Sequence, residues 1–485
     1  MRVLQGAIAG AAVALTIAGC SQQQQARSGI EGVADAMGAT NLNSIEYEGS
    51  GSLYGFGQAY LPGEEWPHFE QRSYVAQVNY QAPAMRLNTV RSQGEHPPRG
   101  GAAQPVAADQ RTIAVVNGKY AWGEGGAQAN PNNDAAGDRT RALWATPHGV
   151  IKAAIANKGT LNGKDITFSA DGREFKATLN DQNLVQTVAY QLSSEVVGDY
   201  PVEISYSDYA DYNGVKFPQH IVQKEDGFPT LDIKIGQVRP NAAVKMDVPG
   251  NVQDAPATPA VPEVTSEKLA DGVWYMTAQG VHSWAVEFNT YIVAVEGIAS
   301  DARSLAVNDA IRKLIPNKPI RYVINTHAHY DHAGGLRTYV AQGATIVTQD
   351  ANRPFFEKVW ARPHAIQPDT LSKEPKAPVF ETVAEKKVLT DGRKTIEIYH
   401  MKNSGHNANN LIVYMPREGL IYWGDGYNPP AGEDPRDPAR TPEYGIDLYR
   451  NIMDLKLNVK TIAPAHGSGA KPFDNLKKAI GMMNP

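Results

Sequence analysis

One short stretch in the C-terminal half holds three histidines and an aspartate within six residues, His327 to His332, in the sequence Thr-His-Ala-His-Tyr-Asp-His-Ala-Gly-Gly. The β-branched and aromatic run 321–325 before it predicts a buried strand, and the two glycines and apolar segment 336–342 after it predict a helix. The stretch therefore lies on a strand-to-helix loop, where α/β proteins place much of their chemistry. We call residues 326–335 the histidine loop.

The residue types in the histidine loop favour metal binding. Imidazole and carboxylate groups are ligands for zinc, and also for iron or manganese. Four adjacent ligand groups exceed what one tetrahedral ion takes from a single loop, so we expect two neighbouring ions. Solvated surface histidines are the simpler explanation, but a chain with twelve histidines among 485 residues rarely places them in this order by chance.

Length and charge limit the other options. A chain of 485 residues is too long for one core and predicts two or three domains. The formal net charge of -5 and the lack of a basic stripe argue against a nucleic-acid partner and are compatible with a small-molecule substrate. The oligomeric state does not follow from these observations.

The first twenty residues predict an export signal. Met1-Arg2 precedes an apolar run, 3–17, that is short for a membrane span. The following Ile17-Ala18-Gly19-Cys20 resembles a bacterial lipobox, which implies that Cys20 carries lipid and anchors the chain to the membrane. Ser21 resembles an outer-membrane sorting signal. We therefore expect a periplasm-facing lipoprotein of the bacterial cell envelope, at the outer membrane. The alternative is an ordinary signal with a fortuitous cysteine.

Composition divides the rest of the chain. A glutamine-rich polar segment after the signal predicts a flexible tether, and a segment rich in Pro and Ala in the middle of the chain predicts a linker. The predicted divisions are a lipoprotein signal peptide and lipobox (1–20), a tether (21–41), a β-rich accessory domain (42–248), a linker (249–264) and a catalytic domain (265–485).

The alternating and aromatic-rich runs of the accessory domain predict mostly strands. Asn213-Gly214 predicts a turn between two of them. One main helix is predicted over 140–157, with Pro147 early in it or kinking it. We expect a long antiparallel sheet curved over this helix. The pattern 208–218 loosely resembles half-barrel domains of periplasmic lipoprotein carriers. The predicted strands are 44–60, 69–80, 85–92, 112–122, 174–180, 184–192, 202–209, 216–224 and 228–238.

Strands and helices alternate in the catalytic domain. The helix 302–314, closed by Pro316, precedes the strand of the histidine loop, and further strands and helices follow it. The strands divide into two halves with helices outside, which predicts an α/β fold of four layers, an αββα sandwich. Other predicted elements are the strands 269–277, 284–295, 344–348, 395–400, 410–415, 420–423 and 459–464 and the helices 350–360, 444–454 and 475–483.

Several motifs in this domain resemble those of the metallo-β-lactamase superfamily, and the resemblance covers residues from about 265 to 485. The motifs match in order and each follows a strand. They are Thr-His-Ala-His-Tyr-Asp-His at 326–332, Ser-Gly-His at 404–406, Tyr-Trp-Gly-Asp at 422–425 and Ala-Pro-Ala-His-Gly at 463–467.

The resemblance implies a site for two metal ions, zinc first, with iron or manganese as alternatives. Asp425 would bridge both ions. The first ion would be held by His327, His329 and His406, and the second by Asp331, His332 and His466. A metal-bound hydroxide would then attack the substrate, and Asp331 is the candidate catalytic residue that orients it and moves its proton.

With an aspartate at position 425, the sequence resembles the broad hydrolase branch of the family more than the antibiotic-destroying branch, which typically has cysteine or serine at that position. The expected enzyme is a hydrolase of an ester, lactone, thioester or amide. Two alternatives remain open: a single-iron sulfur dioxygenase, and an envelope lipoprotein that binds an apolar ligand and has a non-catalytic metal module.

One feature departs from the family pattern, which usually has an aspartate at the end of the second strand. Here Glu296 or Asp301 takes that place. Residues near the ligands in sequence are further candidates for contact with the substrate. They are His282, Trp284, Tyr330, Asn407 and Asn410.

Overall fold

The structure is a computed structural model that describes residues 28–101, 105–258 and 261–483. Over these ranges the strands form three sheets of thirteen, seven and six strands. The predicted signal peptide 1–20 with Cys20, and residues 21–27 of the predicted tether, lie outside the described residues. In the described part of the chain, no helix has the length and apolar character needed to cross a membrane.

The thirteen-stranded sheet makes up the N-terminal domain, and its strand pairs are antiparallel, as the sequence predicts. The predicted turn at Asn213-Gly214 joins two of its strands, with both residues at positive φ. The order in the sheet is β6-β5-β4-β3-β2-β1-β13-β12-β11-β10-β9-β8-β7. The strands are β1 (Ser44–Tyr54), β2 (His68–Asn79), β3 (Ala84–Gln93), β4 (Gln110–Asn117), β5 (Tyr120–Glu124), β6 (Asn130–Pro131), β7 (Thr160–Asn162), β8 (Asp165–Ala170), β9 (Arg173–Leu179), β10 (Val185–Ser194), β11 (Gly198–Tyr212), β12 (Val215–Glu225) and β13 (Phe228–Pro240).

Two strand predictions in this domain were wrong in extent. The strand predicted over 44–60 ends at Tyr54, and residues 55–67 form a loop. The strand predicted over 112–122 is the hairpin β4–β5, because Gly118, at φ +58, turns the chain there.

The single helix predicted over 140–157 is two helices, α2 (Ala136–Trp144) and α3 (Pro147–Ala156). The helix is interrupted before Thr146, which caps the second helix: its hydroxyl accepts a hydrogen bond from Gly149 N. Pro147 is the first residue of that helix. A further helix, α1 (Gly29–Ala36), lies in the predicted tether 21–41. Its Ile30, Val33 and Ala34 are buried in the core of the domain. The prediction of a flexible tether was therefore wrong for α1.

The predicted linker 249–264 lies between β13 and the first strand of the C-terminal domain, β14 (Thr265–Ala270). It contains a short helix, α4 (Gly250–Gln253). Val252 of α4 is buried against Trp122 and Met246. This part of the linker is therefore packed against the N-terminal domain.

The C-terminal domain has two sheets with the orders β14-β15-β16-β17-β18-β19-β20 and β21-β22-β23-β24-β25-β26. The remaining strands are β15 (Val273–Ala278), β16 (Val281–Glu287), β17 (Ile292–Val295), β18 (Ile320–Ile324), β19 (Thr345–Gln349), β20 (Val379–Val383), β21 (Lys386–Thr390), β22 (Thr395–His400), β23 (Leu411–Met415), β24 (Leu420–Tyr422), β25 (Thr461–Ile462) and β26 (Lys471–Pro472). The helices are α5 (Asp301–Leu314), α6 (Tyr330–Ala333), α7 (Leu336–Ala341), α8 (Asn352–Trp360), α9 (Thr370–Lys373), α10 (Glu443–Asp454) and α11 (Phe473–Ala479).

Alternate residues of these strands face two different cores, which confirms the predicted αββα sandwich. Val293 and Val295 of β17 lie with Ile396 and Ile398 of β22 in the core between the two sheets. Ile292 packs on the other face with Val307 and Ile311 of α5. The outer face of the second sheet is covered in the same way by α10 and α11. Because successive side chains of a strand point to opposite faces of the sheet, both faces of each sheet are buried.

The two domains share one hydrophobic core. Buried residues of the thirteen-stranded sheet are continuous with Leu336 and Tyr339 of α7 and with Phe356 of α8. This arrangement places the N-terminal domain on the side of the sandwich that carries the histidine loop.

Candidate metal centre

Asn325, directly after β18, gives the histidine loop its shape. Its side-chain amide donates hydrogen bonds to the carbonyl oxygens of His327 at 2.6 Å and His332 at 3.3 Å. Its amide oxygen accepts a hydrogen bond from Thr348 Oγ1 at 3.1 Å. The buried amide thus ties the two ends of the loop together, and this turns its histidines to one side.

The three motifs that follow the histidine loop all belong to the second sheet. His406 lies on the loop after β22, Asp425 follows β24, and His466 follows β25. Strand ends are where an α/β scaffold presents side chains to a common edge. The ends of β22, β24 and β25 place these residues beside the histidine loop.

The seven side chains predicted as metal ligands converge in two groups that share Asp425. In each group, one nitrogen or oxygen atom of every member lies within 4.8 Å of those of the others. The first group is His327, His329, His406 and Asp425, and the second is Asp331, His332, Asp425 and His466.

The spacing within these groups fits metal coordination. The Nε2 atoms of His327 and His406 are 3.1 Å apart, those of His332 and His466 are 3.2 Å apart, and His466 Nε2 is 3.4 Å from Asp331 Oδ2. Tetrahedral ligand atoms about 2.0–2.1 Å from one zinc ion are about 3.3–3.4 Å from one another. The donor set is also one that divalent zinc, iron or manganese accepts.

Two buried polar atoms without hydrogen-bond partners also indicate a metal site. Asp425 Oδ1 and His329 Nδ1 are buried and have no hydrogen-bond partner among the described residues. Most buried polar atoms in folded proteins have a partner. A cation between the ligand atoms would supply it, so the cluster is a candidate metal-binding site.

In three of the proposed ligands, the ring nitrogen that points away from the cluster has a partner within hydrogen-bonding distance. His332 Nδ1 donates to the carboxylate of Glu296, His327 Nδ1 lies 3.0 Å from Thr326 Oγ1, and His329 Nε2 donates to Ala59 O at 2.9 Å. Such outer partners fix the tautomer and orientation of metal-binding histidines.

Glu296, rather than Asp301, takes the place of the aspartate that the family usually has at the end of the second strand. It is fully buried at the end of β17, and its second oxygen accepts a hydrogen bond from Thr326 N at 2.5 Å. Asp301 instead caps other elements, accepting from Thr338 Oγ1 at 2.5 Å and Thr370 N at 3.1 Å. Glu296 is thus the carboxylate that supports the histidine loop.

Burial and charge set the protonation states of the cluster. Burial lowers the pKa of His327 well below its usual value and that of His329 to about 3. Burial alone would raise the pKa of Asp425, but His466 and His332 hold it well below its usual value. Neutral imidazoles and an ionised carboxylate are the forms that bind a cation.

His332 is the exception among the histidines. Burial would lower its pKa, but Asp331, Asp425 and Glu296 outweigh burial and keep the pKa well above the usual value. His332 therefore holds a proton that an incoming cation would displace.

Two members of the cluster reach solvent. The side chain of Asp331 is 38% exposed and that of His466 is 21% exposed, whereas His332 and His406 are fully buried. The open side of the candidate centre therefore lies beside Asp331 and His466.

The predicted substrate-contact residues are held mainly by other parts of the protein. His282 bonds to Thr277 Oγ1 at 2.8 Å and to Gly467 O at 3.1 Å, and so braces the loop of His466. The ring of Tyr330 packs in the domain interface. Trp284 lies in the core between the two sheets of the sandwich.

The two asparagines differ from each other. The Asn407 amide donates to Ala59 O at 3.2 Å. Asn410 is fully buried, and neither its amide nitrogen nor its oxygen has a hydrogen-bond partner within the described ranges. Contact of any of these residues with a substrate stays a prediction.

Sequence reasoning missed one element of the site, the loop 55–67 of the N-terminal domain. Gln58 Nε2 donates to Asp331 Oδ1 at 2.8 Å, and Ala59 O accepts from His329 as described above. The available signal was Gly55 and Gly57, which interrupt the pattern of strand β1. Nothing in the sequence connects this loop to residues 270 positions away.

Comparison with known proteins supports the C-terminal assignment. Residues 297–466 match the family model of the metallo-β-lactamase superfamily. The 2,4-dinitroanisole O-demethylase subunit alpha of Nocardioides sp. (strain JS1661) is 25% identical over 166 residues, which are 34% of this chain and 46% of that protein. The chain thus spans less than half the length of this relative.

Solved structures match a little under half of the chain. The DIM-1 metallo-β-lactamase is 17% identical, with 46% of this chain and 97% of that chain covered and a TM-score of 0.35. The metallo-β-lactamase from Pontibacter korlensis is 18% identical, with 45% and 98% covered and a TM-score of 0.32. The family match over residues 297–466 and the αββα layers together indicate the metallo-β-lactamase fold for the C-terminal domain.

Proposed function

We propose that the protein is a metal-dependent hydrolase of a small molecule that contains an ester, lactone, thioester or amide. The observation that carries this proposal is the cluster of seven ligand side chains, five of them buried, in which Asp425 belongs to both groups. A structural zinc site is closed by four ligands. A larger, shared set with one open side fits a dinuclear catalytic centre better.

Each group would hold one divalent ion, zinc in the first instance, with Asp425 between them. Two such ions supply a water of lowered pKa and polarise the carbonyl group of a substrate. The ligands are His327, His329 and His406 for one ion, Asp331, His332 and His466 for the other, and Asp425 for both.

Asp331 is the proposed catalytic residue of the chain. Its Oδ2 faces His332 and His466, at 3.4 Å from each ring nitrogen, and its side chain also reaches solvent. The pKa of Asp331 lies well below its usual value, since His332 and His466 outweigh the effect of burial. Its ionised carboxylate can therefore accept a hydrogen bond from an attacking water and orient it.

The proposal is tested by metal content and turnover. Wild-type protein should hold two ions per chain and hydrolyse at least one member of a panel of esters, lactones, thioesters and amides, including a cephalosporin. Asp331→Asn should lower kcat by about 100-fold or more. The exposed Asp350→Asn is the matched control and should keep wild-type activity. Two bound ions with no turnover of any substrate would contradict a hydrolase, and one iron with oxygen consumption would favour a sulfur dioxygenase.

A cavity in the N-terminal domain favours a second candidate function, the binding of an apolar ligand. The cavity has a volume of about 400 Å³ and lies between the sheet and the junction of α2 and α3, with Tyr47, Met85, Leu87, Ile204 and Ile221 among its lining residues. Mostly apolar pockets of this size hold small ligands. A fluorescent fatty acid should bind at one per chain and lose affinity in Leu87→Glu. A lack of saturable binding to the wild type would exclude this candidate.

We also propose that the protein is a lipid-anchored envelope protein, on the strength of its lipobox-like residues 17–20 alone. Labelled palmitate should be incorporated into the wild type and not into Cys20→Ser, which should move to the soluble fraction. Equal labelling of both would contradict acylation at Cys20.

A further inference from the structure

The β1–β2 loop, residues 55–67, leaves the N-terminal sheet and reaches the candidate metal centre. Two backbone hydrogen bonds join it to the C-terminal domain: Tyr330 N donates to Gly57 O, and Ala408 N donates to Tyr60 O, each at 3.1 Å. A Cβ atom at Gly57 would lie 2.6 Å from Cγ of Tyr330. Only glycine therefore allows the loop to approach the histidine loop this closely.

Ala59 in the β1–β2 loop fixes the orientation of a proposed metal ligand. Its carbonyl oxygen accepts hydrogen bonds from His329 Nε2 at 2.9 Å and from the Asn407 amide at 3.2 Å. A hydrogen on Nε2 leaves the lone pair of His329 on Nδ1, the buried atom without a partner. The N-terminal domain thus supplies the outer partner that selects this tautomer.

Gln58, the preceding residue, acts on the carboxylate at the open side of the centre. Its amide donates to Asp331 Oδ1 at 2.8 Å, while Asp331 Oδ2 faces His332 and His466. Because Asp331 is partly exposed, solvent alone would not hold its carboxylate in one orientation. The hydrogen bond from Gln58 occupies one oxygen and directs the other to the cluster.

Contacts behind the β1–β2 loop hold it in place. Gly101 N donates to Gln58 O at 3.0 Å, and Gly100 N donates to Gly405 O at 2.9 Å. The hydroxyl of Tyr444 donates to Gly100 O at 2.8 Å. The loop is therefore braced between the two domains, and its position does not depend on the hydrogen bond from Gln58 alone.

We propose that the N-terminal domain completes the metal centre, with Gln58 as a positioning residue for Asp331 and the Ala59 carbonyl as the positioning group for His329. This inference rests on the proposed dinuclear centre. It means that the accessory domain does more than space the catalytic domain from the membrane, since two of the seven proposed ligands take their orientation from it.

Cobalt binding to the full chain tests the inference without relying on activity. Gln58→Met keeps the length of the side chain and removes the donor, so the ion held by Asp331 should bind about 10- to 100-fold more weakly. The ion held by His327 and His406 should keep its affinity. Stepwise Co²⁺ titration, followed by visible absorption and chelator competition, measures both. Gln128→Met, an exposed position on another loop of the same domain, is the matched control.

The outcomes separate this inference from the proposed function. If the wild type binds fewer than two cobalt ions, the dinuclear proposal fails. If it binds two, and Gln58→Met binds both with wild-type affinity and spectrum, only the role of Gln58 is overturned. Gln58→Glu gives a second reading: a carboxylate beside Asp331 should change the absorption bands of the second ion, and an unchanged spectrum would also overturn that role.

Discussion

The carboxylate of Glu296 accepts hydrogen bonds from two parts of the histidine loop, Thr326 N and His332 Nδ1. Glu296 is fully buried, and its backbone has φ +72, a conformation that costs a non-glycine residue free energy. The two hydrogen bonds hold the residue there. One side chain thus fixes the start of the loop and the orientation of one proposed ligand.

Replacement of Glu296 by glutamine should weaken metal binding with little change in volume. The amide oxygen can still accept from Thr326 N, but the amide nitrogen would then face His332 Nδ1. That contact favours the His332 tautomer with its hydrogen on Nε2, the atom that faces the cluster. We expect about 10- to 100-fold weaker binding of one ion in Glu296→Gln, measured by competition between protein and a zinc chelator.

The exposed Glu263→Gln is the control for that substitution and should bind zinc as the wild type does. Unchanged zinc affinity in Glu296→Gln would show that His332 does not depend on this carboxylate for its orientation.

At the scale of elements, the β1–β2 loop contains two glycines that separate the effect of backbone strain from the effect of contact. Gly57 and Gly63 both have positive φ, +77 and +85. A Cβ atom at Gly57 would collide with the ring of Tyr330, whereas one at Gly63 would meet nothing within 4 Å. The pair therefore forms a matched comparison within one loop.

Gly57→Ala should displace the β1–β2 loop from the candidate centre, and Gly63→Ala should not. Both substitutions carry the cost of a left-handed alanine, about 1 kcal/mol. Only Gly57→Ala should also lower the affinity for cobalt, because it moves the Ala59 carbonyl away from His329. Thermal unfolding and cobalt titration of both variants check this. Equal cobalt affinities in the two variants would contradict the role of the loop.

These elements also show what the sequence could predict. The histidine loop and the motifs at 406, 425 and 466 carry local signals, namely ligand-type residues directly after strands, so the sequence predicted their convergence through the family resemblance. The β1–β2 loop carries no such signal, because Gln58 and Ala59 gain their role only through the packing of one domain on the other. Residues 29–36 were misjudged for the same reason, since α1 is ordered by the apolar face it buries against the accessory domain.

At the scale of the whole molecule, the two domains are joined by an ion pair and by hydrogen bonds as well as by the shared core. Arg362 makes two hydrogen bonds to the carboxylate of Asp226, at 2.7 and 2.9 Å, and the carboxylate of Asp199 accepts from Ala365 N at 2.8 Å. The composition of each domain alone gives no sign of these contacts. They fix the position of the N-terminal sheet and, with it, that of the β1–β2 loop.

One carboxyl group in this interface should make stability depend on pH. Glu195 of the N-terminal domain lies near Asp301, Asp369 and Arg337 of the C-terminal domain, and burial, with the two aspartates, raises its pKa to about 7. In the unfolded chain its pKa is near 4.5. The folded protein therefore holds a proton on Glu195 that the unfolded chain releases between these values, so the contribution of Glu195 to stability is present below pH 4.5 and is lost as the pH rises to about 7.

Glu195→Gln removes this dependence and should stabilise the folded protein at pH 8 by about 1–2 kcal/mol, a value reduced for partial exposure. The gain should shrink toward pH 5, where Glu195 is protonated in the folded state and partly protonated in the unfolded chain. Urea unfolding of metal-free protein at both pH values measures it without the contribution of bound ions. The exposed Glu174→Gln is the control and should show no gain. Equal stability of Glu195→Gln and the wild type at pH 8 would show that the carboxyl group stays hydrated and that the domains are less tightly packed around it than their contacts indicate.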